Sequence, residues 1–116
     1  MADEAFEAFW KLKGGPELVG LQSLFGGASL SGEEVRQMLG LTLEQFRIAV
    51  LAAQQLGLAE QADDRIRFAA FPRDSAQGAR LEWCLEARQE EMKTILGRLK
   101  SLLLIRFLGA PPHPGA

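Results

Sequence analysis

Between Leu41 and Phe71 the spacing of apolar residues switches once, from helical to alternating. Phe46, Val50 and Leu51 recur at helical intervals and predict an amphipathic helix over 43–56 with one apolar face. Thr42 stands at its cap, and Gln45 completes a capping box in which each side chain accepts from the other's backbone N–H. Gly57 stops the helix, since glycine enters the left-handed region without steric cost. Leu58-Ala59-Glu60 and Arg65-Ile66-Arg67-Phe68 then flank the turn-forming Ala62-Asp63-Asp64, which predicts two short strands and a hairpin.

Three shorter apolar stripes precede this unit. Asp3 caps a helix through about Lys13 with Phe6, Phe9 and Trp10 on one side, and Gly14-Gly15 ends it. Pro16 and Glu17 open a second helix carrying Leu18, Leu21, Leu24 and Phe25, closed by Gly26-Gly27. Ser29-Leu30-Ser31 reads as an extended piece leading into a second capping box, with Ser31 the cap and Glu34 the returning carboxylate. Val35, Met38 and Leu39 then face inward until Gly40. The helices over 31–39 and 43–56, joined by Gly40-Leu41, form a helix-turn-helix, and with the hairpin they have the sequence shape of a winged helix. The competing expectation is a plain helical bundle with 58–71 as a loop.

After Pro72, Asp74 or Ser75 caps one long helix running to about Leu108. Leu81, Leu85, Arg88, Met92, Ile95, Leu99 and Leu102 form its stripe, broken only by Arg88. Gly78 weakens the first turn. Gly97, about 1 kcal/mol worse than alanine in a helix interior, marks close packing or a bend. Near the end the chain is apolar nearly all round, and Leu102, Leu103, Ile105, Phe107 and Leu108 are the expected hydrophobic docking contacts. Ala110 to Ala116 is a Pro-rich tail without core content, expected to be flexible. The expected fold class is mainly α with a small β-hairpin: one winged-helix-like domain over 1–109 with a long C-terminal helix, and a tail over 110–116.

At 116 residues, 47% hydrophobic and 24% charged, the chain suits one ordinary globular domain. No apolar run reaches membrane-spanning length, and the acidic N-terminus lacks a signal pattern. The single cysteine, Cys84, forms no intramolecular disulfide, which suits a cytoplasmic location. The net charge of −2 hides an asymmetry: residues 1–64 hold four Lys/Arg against ten carboxylates, and residues 65–116 hold nine against five. An acidic head and a basic tail either meet each other or present two faces to different partners.

Candidate chemistry is sparse. His113 lies in the Pro-rich tail, where no base is held in place. Cys84, beside Trp83 and Leu85, reads as a core or interface thiol. Asp63-Asp64 has no further oxygen ligands at metal-binding spacing and reads as a hairpin tip. The glycine doublets lack the context of a phosphate loop. Glu82, Glu86, Glu90 and Glu91 interleave with Arg88, Lys93 and Arg98 as a solvated helix face does. The expectation is no enzyme, no metal and no cofactor.

Duplex recognition by the helix over 43–56 is poorly supported by its charges. It offers Gln45, Gln54 and Gln55, with Glu44 at its leading end and Arg47 as its only cation. Asp63 and Asp64 at the hairpin tip repel phosphates. Arg65, Arg67, Arg73 and Arg80 form a basic cluster near the hairpin. Together with Arg47 they are the expected contacts for a protein partner or, weakly and nonspecifically, for phosphate. The alternative is a solvated edge paired to the acidic half.

The order of helix, GLAEQADDRIRF and FPRDSAQGARLEWCLEARQEEMKTILGRLKSLLL resembles the C-terminal accessory region of RecJ single-strand-specific exonucleases, over about Leu43 to Leu104. Gly57-Leu58 and Ile66-Phe68 match the hairpin, Arg73-Asp74-Ser75 the basic-Asp-and-Ser segment, and Glu86 to Leu99 the start of the last helix. Here the serine follows the aspartate at once, Leu81 stands near the place of an aromatic, and the family's DHH-type metal motifs are absent. The resemblance implies a separate or excised non-catalytic module of a 5'-3' single-stranded-DNA exonuclease. Its implied partners are DNA-repair proteins: the acidic tail of a single-stranded-DNA-binding protein, or a helicase or translocase. The alternative is a stand-alone winged-helix transcription regulator that binds DNA and forms a homodimer through its C-terminal helix.

Overall fold

Leu18, Val19, Gly20, Leu21 and Gln22 are consecutive and all buried, so their helix must be covered on every side. In this computed structural model, which describes residues 4–72 and 74–108 without the side chains of 107 and 108, that helix is α2 (Gly15–Phe25). It follows α1 (Glu4–Trp10) and precedes β1 (Ser29–Ser31), α3 (Gly32–Leu39), α4 (Leu43–Gln55), β2 (Ala59–Ala62), β3 (Arg65–Phe68), α5 (Ala76–Glu86) and α6 (Gln89–Leu108). The chain is mainly helical with a small antiparallel sheet in the order β1-β3-β2, compatible with a winged-helix-like arrangement.

The sheet has one strand more than the predicted hairpin. β1 joins it through the pairs Ser29–Arg67, Leu30–Ile66 and Ser31–Arg65. The loop expected at 58–71 in a plain bundle is therefore overturned. Along β3 the pleat buries Ile66 and Phe68 and exposes Arg65 and Arg67. At the tip Asp63 takes the left-handed backbone, φ 56°, which a short polar side chain tolerates. The Gly32 N–H donates to the Asp64 carbonyl at 2.7 Å and ties the tip to the start of α3.

Local signals set the helix starts. Thr42 Oγ1 accepts from the Gln45 N–H at 3.1 Å, and Gln45 Oε1 accepts from the Thr42 N–H at 3.0 Å, so the capping box is complete. Ser31 Oγ accepts from the Glu34 N–H at 3.3 Å, but no return bond to the Glu34 carboxylate forms among the described residues, so the second capping box is only half made. Ser75, not Asp74, caps α5 by accepting from the Gly78 N–H at 3.0 Å. Gly78 does not delay that helix: a Cβ there would lie 2.9 Å from Ser75 Oγ, so glycine makes room for the cap.

Several expectations need correction. The first helix ends at Trp10, short of Lys13, and Asp3 lies outside the described residues. Leu51 is not on the buried face of α4, which consists of Phe46, Ala49, Val50 and Ala53. The single long helix is two, broken at Ala87-Arg88. Gly97 does not mark close packing: α6 runs unbroken through it, and a Cβ there would meet nothing within 4 Å. The close approach lies at Gly20, where a Cβ would sit 2.6 Å from Leu99 Cδ1, so α2 and α6 pack tightly. Gln22, also buried on α2, donates through Nε2 to the Ala69 carbonyl just after β3 at 3.0 Å. Among the described residues no helix is long and apolar enough to cross a membrane.

Candidate interaction surface

The cap at Thr42 and the inward face of α4 fix what α4 turns outward. Leu43, Ile48 and Leu51 are 52%, 49% and 57% exposed. Between them stand Glu44 and Arg47, both exposed and neither hydrogen-bonded nor ion-paired through its side chain among the described residues. Three aliphatic side chains facing water on one short helix carry an unfavourable hydration free energy that burial against another surface would remove. The sequence reading missed all three. The available signal was the number of apolar residues over 43–56, more than one helix face can hold.

The preceding helix adds negative charge. Glu33 and Glu34 are exposed at the start of α3. Hydrogen bonds from Arg36 and Gln37 hold the Glu33 carboxyl down at about 2, so it stays ionised. Arg36 also donates to the Leu41 carbonyl at 2.9 Å, which fixes it to the turn between α3 and α4.

The five arginines expected as one site are only partly brought together. Arg65 and Arg67 share the outward face of β3. Arg65 donates to Ser29 Oγ at 3.1 Å and to the Ser29 carbonyl at 2.8 Å, and Arg67 stands directly across from Glu60. Arg47 is on α4 and Arg80 on α5, and Arg73 lies outside the described residues. Arg80 lines a cleft of about 290 Å³ whose walls include Phe6, Leu58, Phe71 and Leu81 with Gln54 and Gln77. Cys84 is a buried thiol on its side.

At the C-terminal end Leu102 and Leu103 are half-buried, while Leu104 and Ile105 are 57% and 50% exposed. The side chains of Phe107 and Leu108 lie outside the described residues, as do His113 and the Pro-rich tail. The acidic and basic halves do meet. Arg88 pairs with Glu7, Arg98 pairs with Glu17 at 3.1 Å, and Trp10 Nε1 donates to Glu91 at 2.9 Å. Among the described residues no three His, Cys, Asp or Glu side chains gather as a metal site. No protein-family model, curated protein or solved structure matches this chain.

Proposed function

We propose that this chain is a non-catalytic protein-interaction module in which a winged-helix-like unit uses α4 to contact polypeptide rather than duplex DNA. In that reading α2, α3 and α4 are the three helices, the β2–β3 hairpin is the wing, and α4 occupies the recognition position. The observation that carries the proposal is the outward face of α4. Groove reading needs donors for base edges and cations for phosphates. This face offers three exposed aliphatics, one acid and, at its far end, the amides Gln54 and Gln55, with Arg47 as its single cation for phosphate, and the wing tip adds Asp63 and Asp64.

The narrower reading follows the sequence resemblance. In it the module belongs to a RecJ-like exonuclease and recruits DNA-repair or recombination partners. A second reading, weak phosphate contact in a DNA-binding regulator, is favoured by Arg65 and Arg67 standing side by side on the open sheet face.

The test pairs DNA titration with protein capture, for the native chain and for Leu51→Glu, whose site is exposed enough to leave the fold intact. Expected is salt-labile DNA binding of about 10⁻⁵ M or weaker at physiological salt. It is reduced by Arg65→Ala with Arg67→Ala and unchanged by Leu51→Glu. A protein retained from host lysate is released by Leu51→Glu. Nanomolar duplex binding that Arg47→Ala abolishes overturns the proposal.

A further inference from the structure

The outward aliphatics of α4 are interrupted by one acid and one base, Glu44 and Arg47, whose side chains are unpaired among the described residues. A segment carrying charge of only one sign satisfies one of them. A copy of the same face satisfies both. Let two α4 helices lie antiparallel about a twofold axis at the height of residues 45 and 46. Glu44 then faces the partner's Arg47, and Leu43 faces the partner's Ile48, because both pairs are centred on the same point of the helix. The axis repeats each contact, so two opposite-charge pairs and two aliphatic pairs form together. Leu51 falls beyond the start of the partner's α4, toward the turn of Gly40, Leu41 and Thr42 that leads into it.

We infer that the outward face of α4 is a homodimer face whose occupant is a second copy of this chain. The inference rests on the protein-docking reading and names its partner. Three half-exposed aliphatics make a small patch, so the dimer is weak and concentration-dependent, dissociating on the order of tens of micromolar.

Sedimentation of the full chain from about 1 to 500 µM brackets that range. The expected result is a monomer–dimer equilibrium that Leu51→Glu shifts to monomer. Glu44→Lys and Arg47→Glu each place like charges across the axis twice and weaken the dimer about tenfold or more. An equimolar mixture of those two variants dimerises again, because every contact then joins opposite charges. Circular dichroism confirms that each variant is folded. A chain that stays monomeric to the highest concentration overturns the inference. So does a dimer that ignores both charge changes and is broken instead by Leu104→Glu. A monomer that still holds another protein through Leu51 overturns the homodimer and leaves the docking reading standing, whereas tight Arg47-dependent duplex binding removes the docking reading itself.

Discussion

At Gly20 an added Cβ would lie 2.6 Å from Leu99 Cδ1 and 3.3 Å from Ile95 Cγ2, and Leu99 is fully buried, so neither neighbour has room to retreat. At Gly97 the same atom meets open solvent, in the middle of a helix whose backbone alanine adopts freely. The two residues therefore differ in sign. Gly97→Ala is expected to raise stability by about 0.5–1 kcal/mol, by removing the entropy that glycine loses on folding. Gly20→Val is expected to lower it by about 2 kcal/mol through overpacking. Urea denaturation followed by tryptophan fluorescence checks both, and equal effects would mean that the α2–α6 contact is looser than the approach of Leu99 to Gly20 implies. The amino-acid pattern identified Gly97 as the special glycine because both sit in apolar stripes, and sequence spacing carries no information about what lies across the interface. Caps were legible at this scale for the opposite reason: Thr42 and Gln45, or Ser75 and Gly78, are each other's partners three residues apart.

Arg88 explains why the C-terminal third is two helices. It sits in the break between α5 and α6, largely buried, and donates back to the Cys84 carbonyl at 3.0 Å, an acceptor freed where α5 ends. Its guanidinium pairs with Glu7 and lies over the rings of Phe6 and Trp10 at 5.4 and 5.3 Å. A planar, always-charged fork is needed to do all of this at once. Arg88→Ala is expected to cost about 2 kcal/mol, and Arg88→Lys about 1 kcal/mol because the ammonium keeps the charge but not the fork or the stacking. A double-mutant cycle with Glu7→Ala isolates the pair. A coupling below about 0.5 kcal/mol would mean the break is held by other contacts. The interruption of the stripe was visible in the sequence as a single charged residue. Its meaning was not, because Glu7, Phe6 and Trp10 lie some eighty positions away. The α4 surface failed to show for a related reason: Leu43, Ile48 and Leu51 look like core until the positions that α2 and β2 cover are known.

At the scale of the whole molecule, α6 is part of the core rather than an arm attached to it. Met92, Ile95 and Leu99 are buried, and the α2 surface around Gly20 is shaped to receive them. The ion pairs Glu7–Arg88 and Glu17–Arg98 fasten the acidic first half to the basic second half, and so offset part of the charge asymmetry of the sequence within the molecule. The expected fate of a shortened chain tests the place of α6 in the core. Each buried aliphatic of α6 contributes about 1.5–3 kcal/mol. Losing three of them is comparable to the entire stability of a domain this size, about 5–15 kcal/mol. A chain ending at Glu86 is therefore expected to lose cooperative unfolding and to bind hydrophobic dye. A chain ending at Leu103, which gives up only the exposed Leu104 and Ile105 among the described apolar side chains, is expected to unfold cooperatively within about 1 kcal/mol of the full protein. Near-ultraviolet circular dichroism distinguishes the two, since Trp10 is packed against Phe6 at a ring distance of 5.8 Å and donates to Glu91 in α6. If the chain ending at Glu86 kept that signal and a sharp transition, α6 would be an accessory helix available to a partner, and the tight fit at Gly20 would have to serve assembly instead of folding.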